Sequence, residues 1–130
     1  MGARRPRPVV LDAGALIAFE RNDVRLRTLV ELAMLHGGDL RAPAGVVGQV
    51  WRSGRKQARL ARLLTSGVLQ VQALDREEAQ AAGVLCGTSR TADVVDASVV
   101  LLARRHRATV VTSDPEDLHR IDPKLDLVTC

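Results

Sequence analysis

The sequence predicts an α/β protein, a three-layer α/β/α sandwich with a central parallel sheet. Three observations carry this prediction. Short apolar runs recur along the chain without the polar alternation of a half-exposed sheet, as strands buried on both faces do. Segments of helical periodicity separate them. The apolar residues are chiefly Ala, Val and Leu, with one Phe, one Trp and no Tyr, which suits helices packed closely on a sheet.

Pro8-Val9-Val10-Leu11 reads as the first strand, and Asp12 ends it. Ala13 to Arg21 follows as a helix. A second helix runs from Asp23 to His36, with Leu26, Leu29, Val30, Ala33 and Met34 on one face, and Gly37-Gly38 stops it. Leu40-Arg41-Ala42 is a weak second strand. Pro43 then opens a helix through Val46, Val47, Val50 and Trp51, broken at Ser53-Gly54. Arg55 to Leu64 reads as a basic amphipathic helix that ends near Ser66-Gly67. Val68 to Leu74 is a strand, and Asp75 starts a helix that Gly87 closes. Val94 to Arg107 is strongly helical, Ala108 to Thr112 is a buried strand, Asp114 begins another helix, and Leu125 to Thr129 is the last strand. No repeat or linker interrupts the order, so residues 1–130 read as a single domain.

The chain has 130 residues, 46% hydrophobic and 26% charged, enough to build a core without disulfides. Cys86 and Cys130 form neither a disulfide framework nor a zinc set, which points to a reducing cytoplasm. No apolar run reaches the roughly 18 residues that span a bilayer, and no signal-type apolar region follows the basic stretch Met1 to Pro8. The net charge is +4. Arg41, Arg52, Arg55, Lys56, Arg59 and Arg62 accumulate with no acid between them, a stretch that attracts polyanions or an acidic partner. Near-absence of aromatics argues against recognition of single strands by a stacking platform, and Trp51 reads as core or dimer filling.

The acids gather at particular points. Ligands of parallel α/β sheets bind outside the carboxyl ends of the strands. Asp12 follows the first strand directly, and Asp114 follows the Thr109–Thr112 strand after Ser113. The helix from Asp96 to Arg107 travels about 18 Å at 1.5 Å per residue, and the strand after it returns about 16 Å. Asp96 and Asp114 are therefore expected at the same edge as Asp12, with Asp93 one turn before Asp96. Converging carboxylates repel unless a cation neutralises them, and hard oxygen donors select Mg²⁺ or Mn²⁺. Such a centre activates water for attack on a phosphodiester. The plainer reading stays open beside it: Asp12, Asp93 and Asp114 each precede a helix, where Asp is a preferred N-cap.

Val9-Val10-Leu11-Asp12-Ala13-Gly14-Ala15-Leu16-Ile17, Asp96-Ala97-Ser98-Val99-Val100-Leu101-Leu102-Ala103 and Val110-Val111-Thr112-Ser113-Asp114 together resemble a PIN domain, in particular the VapC-type toxins of toxin–antitoxin pairs. The resemblance spans essentially the whole chain. It implies a metal-dependent endoribonuclease, held in check by a cognate antitoxin and often a homodimer, acting on RNA such as tRNA or rRNA. It places the metal on Asp12, Asp96 and Asp114, with Thr112 or Ser113 in support and Asp93 as an additional acid. Two positions depart from the pattern. Gln49 stands where the family carries a Glu, so a carbonyl replaces a charge. Ala13-Gly14 stands where many members carry a hydroxyl. Arg52, Arg55, Lys56 and Arg59 are the expected RNA or antitoxin contacts. The alternative is a catalytically weak or inactive PIN-like module that binds RNA or protein. A receiver-like phosphoacceptor domain fits less well, lacking the paired acids near the first strand.

Overall fold

The computed structural model describes residues 7–130. The basic N-terminal stretch therefore lies mostly outside the described residues. The element order is the expected one: β1 (Val9–Leu11), α1 (Ala13–Glu20), α2 (Val24–His36), β2 (Leu40–Pro43), α3 (Ala44–Val50), α4 (Ala58–Ser66), β3 (Leu69–Gln72), α5 (Arg76–Ser89), α6 (Val94–His106), β4 (Thr109–Thr112), α7 (Pro115–Ile121) and β5 (Asp126–Thr129). The strands form one parallel sheet in the order β3-β2-β1-β4-β5. Helices α1, α2 and α4 form one layer, and α5, α6 and α7 the other, while α3 touches both α1 and α6. This is the three-layer sandwich.

Burial explains why the strands lack polar alternation. Val10, Leu11, Leu40, Val110 and Val111 are shielded from both sides, and Leu16, Val99, Val100 and Leu102 pack on them from the helices. At roughly 1.5–3 kcal/mol per fully buried aliphatic side chain, this core dominates the stability of the fold. The order also fixes where the chain reverses. From β1 the sequence winds outward through β2 to β3, then crosses back to place β4 against the other side of β1. The β1–β4 pair is thus the topological switch point, where open α/β sheets leave a crevice for ligands.

Four boundaries differ from expectation. Pro43 is the last residue of β2 and caps α3, rather than lying inside that helix. Trp51 lies past the end of α3 and is 36% exposed, so it does not fill the core. Helix α5 runs through Gly87 to Ser89 and ends on Arg90 at φ 55°. Packing of Leu85 and Cys86 in the core outweighs the cost of about 1 kcal/mol for a helical glycine. Finally, α4 starts at Ala58, so Arg55 and Lys56 sit in a turn before it.

The start of α4 has a long-range cause. The Glu20 carboxylate at the end of α1 accepts a hydrogen bond from the Leu60 N–H at 2.7 Å. An acid at a helix N-terminus satisfies an orphan donor and complements the helix dipole. Glu20→Ala is therefore expected to cost about 1–2 kcal/mol in urea denaturation, and Glu20→Gln less. An unchanged midpoint in the alanine variant contradicts this role. The cations ending α6 are structural, as their position predicts: Arg105 pairs with the buried Glu78, and Arg104 with Asp122 at 2.8 Å.

Candidate active site

The site is built where β1 and β4 end. Leu11 and Val111 are paired in register, so Asp12 and Thr112 leave the sheet side by side, and the Asp12 N–H still donates to the Val111 carbonyl at 3.2 Å. Asp12 caps α1: its Oδ1 accepts from the Ala15 N–H at 2.9 Å. It is 9% exposed. Burial raises its pKa above the usual carboxylate range. The neighbouring Thr112 hydroxyl and the α1 N–H groups pull the other way, and the Asp114 charge adds to the rise. Thr112 is fully buried, and its Oγ accepts from the Asp114 N–H at 2.9 Å. One hydroxyl thus ties the Asp12 carboxylate to the backbone that carries Asp114.

The capping and ligand readings divide by residue. Asp12 and Asp93 are true caps, the latter accepting from the Asp96 N–H at 2.9 Å. Asp114 occupies the N-cap position of α7 but makes no side-chain capping bond, which leaves its exposed carboxylate uncommitted. Asp96 lies inside the first turn of α6 and caps nothing. Its pKa is raised to about 6, first by burial, then by the charges of Asp93 and Asp117, a shared hydrogen bond with Asp93, and the charge of Asp12. The structure therefore brings Asp12, Asp93, Asp96 and Asp114 into one electrostatic neighbourhood, as the helix and strand lengths predict.

Asp117 is the acid that sequence reasoning missed. It sits in the first turn of α7, pairs with Arg120 at 3.3 Å, and acts on Asp96. In the sequence it reads only as part of a helix-start pattern; nothing there shows α7 facing α6.

The two departures also acquire positions. Gly14 lies against the β4–α7 connection: a Cβ there would stand 2.0 Å from Ser113 Oγ and 2.6 Å from Ser113 Cβ. The Ser113 side chain thus packs directly on Gly14, and only glycine leaves it that room. Gln49 is exposed on α3, one turn beyond Gly45 on the same face. A Cβ added at Gly45 would stand 3.2 Å from Val95, the residue before Asp96. A cleft of about 500 Å³ lies along α1, lined by Gly14, Ile17, Ala18, Arg21, Asp23, Ser113 and Cys130.

The donors suit a hard divalent cation in kind, being carboxylates and hydroxyls without His or Cys. Among the described residues, no three His, Cys, Asp or Glu side chains converge tightly enough to form a closed ligand set. The cluster is an open one. Burial and, after it, repulsion among the acids disfavour the charged form of Asp96, and a cation would offset both. Of the expected contact residues, Arg52, Arg55, Lys56 and Arg59 are all exposed and lie together after α3. No helix is long and apolar enough to cross a membrane among the described residues.

Comparison with known proteins agrees with the geometry. A chain of VapBC2 from Rickettsia felis, bound to a DNA fragment from their promoter, is similar over 94% of this chain and 98% of that one, at 17% identity and TM-score 0.66. FitAcB from Neisseria gonorrhoeae is similar over 92% and 95%, at 18% identity and TM-score 0.62. VapC20 of Mycobacterium tuberculosis, a Sarcin-Ricin loop cleaving toxin, is similar over 78% and 86%, at 19% identity and TM-score 0.56. At these identities the likeness speaks to the fold. No curated protein matches the sequence. The family model described as "PIN domain" matches residues 9–124, nearly the whole chain, and the chain belongs to the PIN domain family.

Proposed function

We propose that this PIN domain is a divalent-metal-dependent endoribonuclease, the toxin of a toxin–antitoxin pair. The observation that carries the reading is the group of carboxylates at the switch point, where burial first and the neighbouring acids second raise the pKa of Asp96 to about 6. Asp12, Asp96 and Asp114 would hold Mg²⁺ or Mn²⁺, with Asp93, Asp117 and the carbonyl of Gln49 around them. The bound ion would supply Lewis-acid chemistry at the scissile phosphodiester. The chain does the rest. Thr112 orients Asp12 and the Asp114 backbone together. Ser113 lies between Thr112 and Asp114 and packs on Gly14, holding the β4–α7 connection against α1. Asp96, half-buried at the start of α6, would carry its charge to the cation and hold it against the sheet edge.

The antitoxin has a surface of its own. A groove of about 330 Å³ between α1, α2 and α4 is walled by Phe19, Val30, Met34 and Leu63, with Arg27, Arg59 and Arg62 against the lone acid Glu31. That chemistry suits an amphipathic segment with acidic flanks. VapBC2 and FitAcB relatives support the antitoxin partner by their names alone. A homodimer in the cytoplasm belongs to the same reading, and sedimentation measures it.

Incubating antitoxin-free protein with a mixed tRNA and rRNA pool tests the activity. Discrete cuts are expected in Mg²⁺ or Mn²⁺ and none in EDTA. The open ligand set and the uncharged Gln49 favour one second reading, a PIN-like module that binds RNA without cutting it. Metal-independent RNA binding with no cuts in either ion would establish that reading instead.

A further inference from the structure

The four cations after α3 are not equivalent. The Arg52 guanidinium donates to the carbonyls of Trp51 at 2.7 Å and Gly48 at 3.3 Å, and that of Arg59 to the Glu20 carbonyl at 3.4 Å. Both are spent on the protein's own backbone. Arg55 and Lys56 are exposed in the turn, and their side chains have no hydrogen-bond or ion-pair partner among the described residues.

The turn that presents them is held by one side chain. Gln57 Oε1 accepts from the backbone N–H groups of Arg52 at 2.7 Å and Ser53 at 3.0 Å, while its Nε2 donates to the Val50 carbonyl at 2.7 Å. The Ser53 carbonyl closes the turn from inside, accepting from Lys56 at 3.2 Å and Gln57 at 3.0 Å. Fixing the backbone of a surface segment costs conformational entropy at every residue. Here that cost is met before any ligand arrives, which is what preorganisation for binding requires.

The turn begins four residues after Gln49, past the C-terminal end of α3, and Arg52 ties it back to that helix through the Gly48 carbonyl. The start of the same helix packs on Val95, next to Asp96. The ring of Trp51 is exposed at the base of the turn, with Gly54 beside it: a Cβ there would stand 3.5 Å from the ring. A cationic tip with an aromatic face at its base matches a single-stranded nucleic acid, whose phosphates and unpaired bases offer the complementary groups. No aliphatic side chain at the tip offers a protein partner an apolar anchor.

We infer that the turn 53–56, carried on the helix whose start packs near Asp96, is the element that grips single-stranded RNA, with Arg55 and Lys56 on its phosphates and Gln57 as the residue that positions them. The inference rests on RNA being the substrate, but not on cleavage. It is tested in EDTA by fluorescence anisotropy with a labelled mixed-sequence single-stranded RNA of about 20 nucleotides across a salt series. Removing both cations (Arg55→Ala with Lys56→Ala) is expected to flatten the log–log salt slope by about 1.4, at about 0.7 per lost phosphate contact. It should weaken binding about 10-fold or more near 0.1 M salt. Arg76→Ala with Lys124→Ala removes the same charge from exposed positions elsewhere and should change binding less than about 2-fold. Gln57→Ala keeps both cations yet should weaken binding several-fold and flatten the slope. A merely structural Gln57 would lower the melting temperature and leave the slope intact. A wild type that binds RNA, with the double variant behaving like its control, overturns the inference and leaves the nuclease reading standing. A folded wild type that binds no RNA at any salt overturns both. Loss of poly-glutamate binding with RNA binding intact assigns the turn to an acidic protein and also overturns it.

Discussion

Asp96→Asn is expected to reduce RNA cleavage by more than about 100-fold while making the metal-free protein more stable. The two effects have one cause. Asp96 stands half-buried among Asp93, Asp117 and Asp12, and its pKa lies near 6 rather than 3.8. Its folded-state pKa is raised above the unfolded value, so between about pH 4 and 6 the native state holds a proton the unfolded state has released. Stability therefore falls as pH rises through that window, and the penalty is fully present above it. A shift of this size in a fully buried group would correspond to about 3 kcal/mol; for a half-exposed carboxyl, solvent screening reduces it to about 1 kcal/mol. In EDTA the Asn variant should gain that amount at pH 8 and nothing at pH 4, read by urea denaturation at both values. Loss of cleavage without the pH-dependent gain would mean that Asp96 is not held in a repulsive cluster. A gain without loss of cleavage would remove it from the chemistry.

Gly14→Ala is the second large effect, at a residue with no functional group. An added Cβ would meet Ser113 at its Oγ, its Cβ and, at 3.1 Å, its backbone nitrogen, so rotating the serine side chain does not relieve the clash. The β4–α7 connection must move, and Asp114 moves with it. Overpacking of this kind costs roughly 1–3 kcal/mol, and a displacement of about 1 Å at a reacting centre costs on the order of 100-fold in rate. The variant should fold, melt lower and cleave poorly. Gly87→Ala is the matched control, since nothing lies within 4 Å of its added Cβ. It should raise stability by up to about 1 kcal/mol and leave cleavage alone. Equal activity in the two glycine variants would contradict the placement of Ser113 and Asp114 against α1.

What could be read from the sequence follows from the range of the interactions. Element order was legible because β1 and β4 are buried on both faces and appear as unbroken apolar runs. Asp12, Asp23, Asp75 and Asp93 mark helix starts because capping is local, each accepting from an N–H two or three residues on. Convergence of Asp12, Asp96 and Asp114 was legible because a helix and a strand of nearly equal travel return the chain to one edge. The strand order was not, since pairing β1 with β4 joins residues about a hundred positions apart and leaves no local trace. The start of α4 depends on Glu20, 40 residues earlier, so Arg55 and Lys56 were read into a helix they do not join. Asp117 was hidden by resemblance to a cap, and the packing of Ser113 on Gly14 joins residues about a hundred positions apart.

The central claim is that the acids at the β1–β4 switch point hold a divalent cation. Calorimetric titration of Mn²⁺ into antitoxin-free protein near pH 6, in two buffers of different ionisation enthalpy, tests it without relying on cleavage. The account predicts saturable binding accompanied by proton release, because Asp96 must surrender its proton to the cation. Binding should weaken sharply in Asp96→Asn and in Asp114→Asn. Folded wild-type protein that takes up no Mn²⁺, or takes it up equally in both variants, would contradict it.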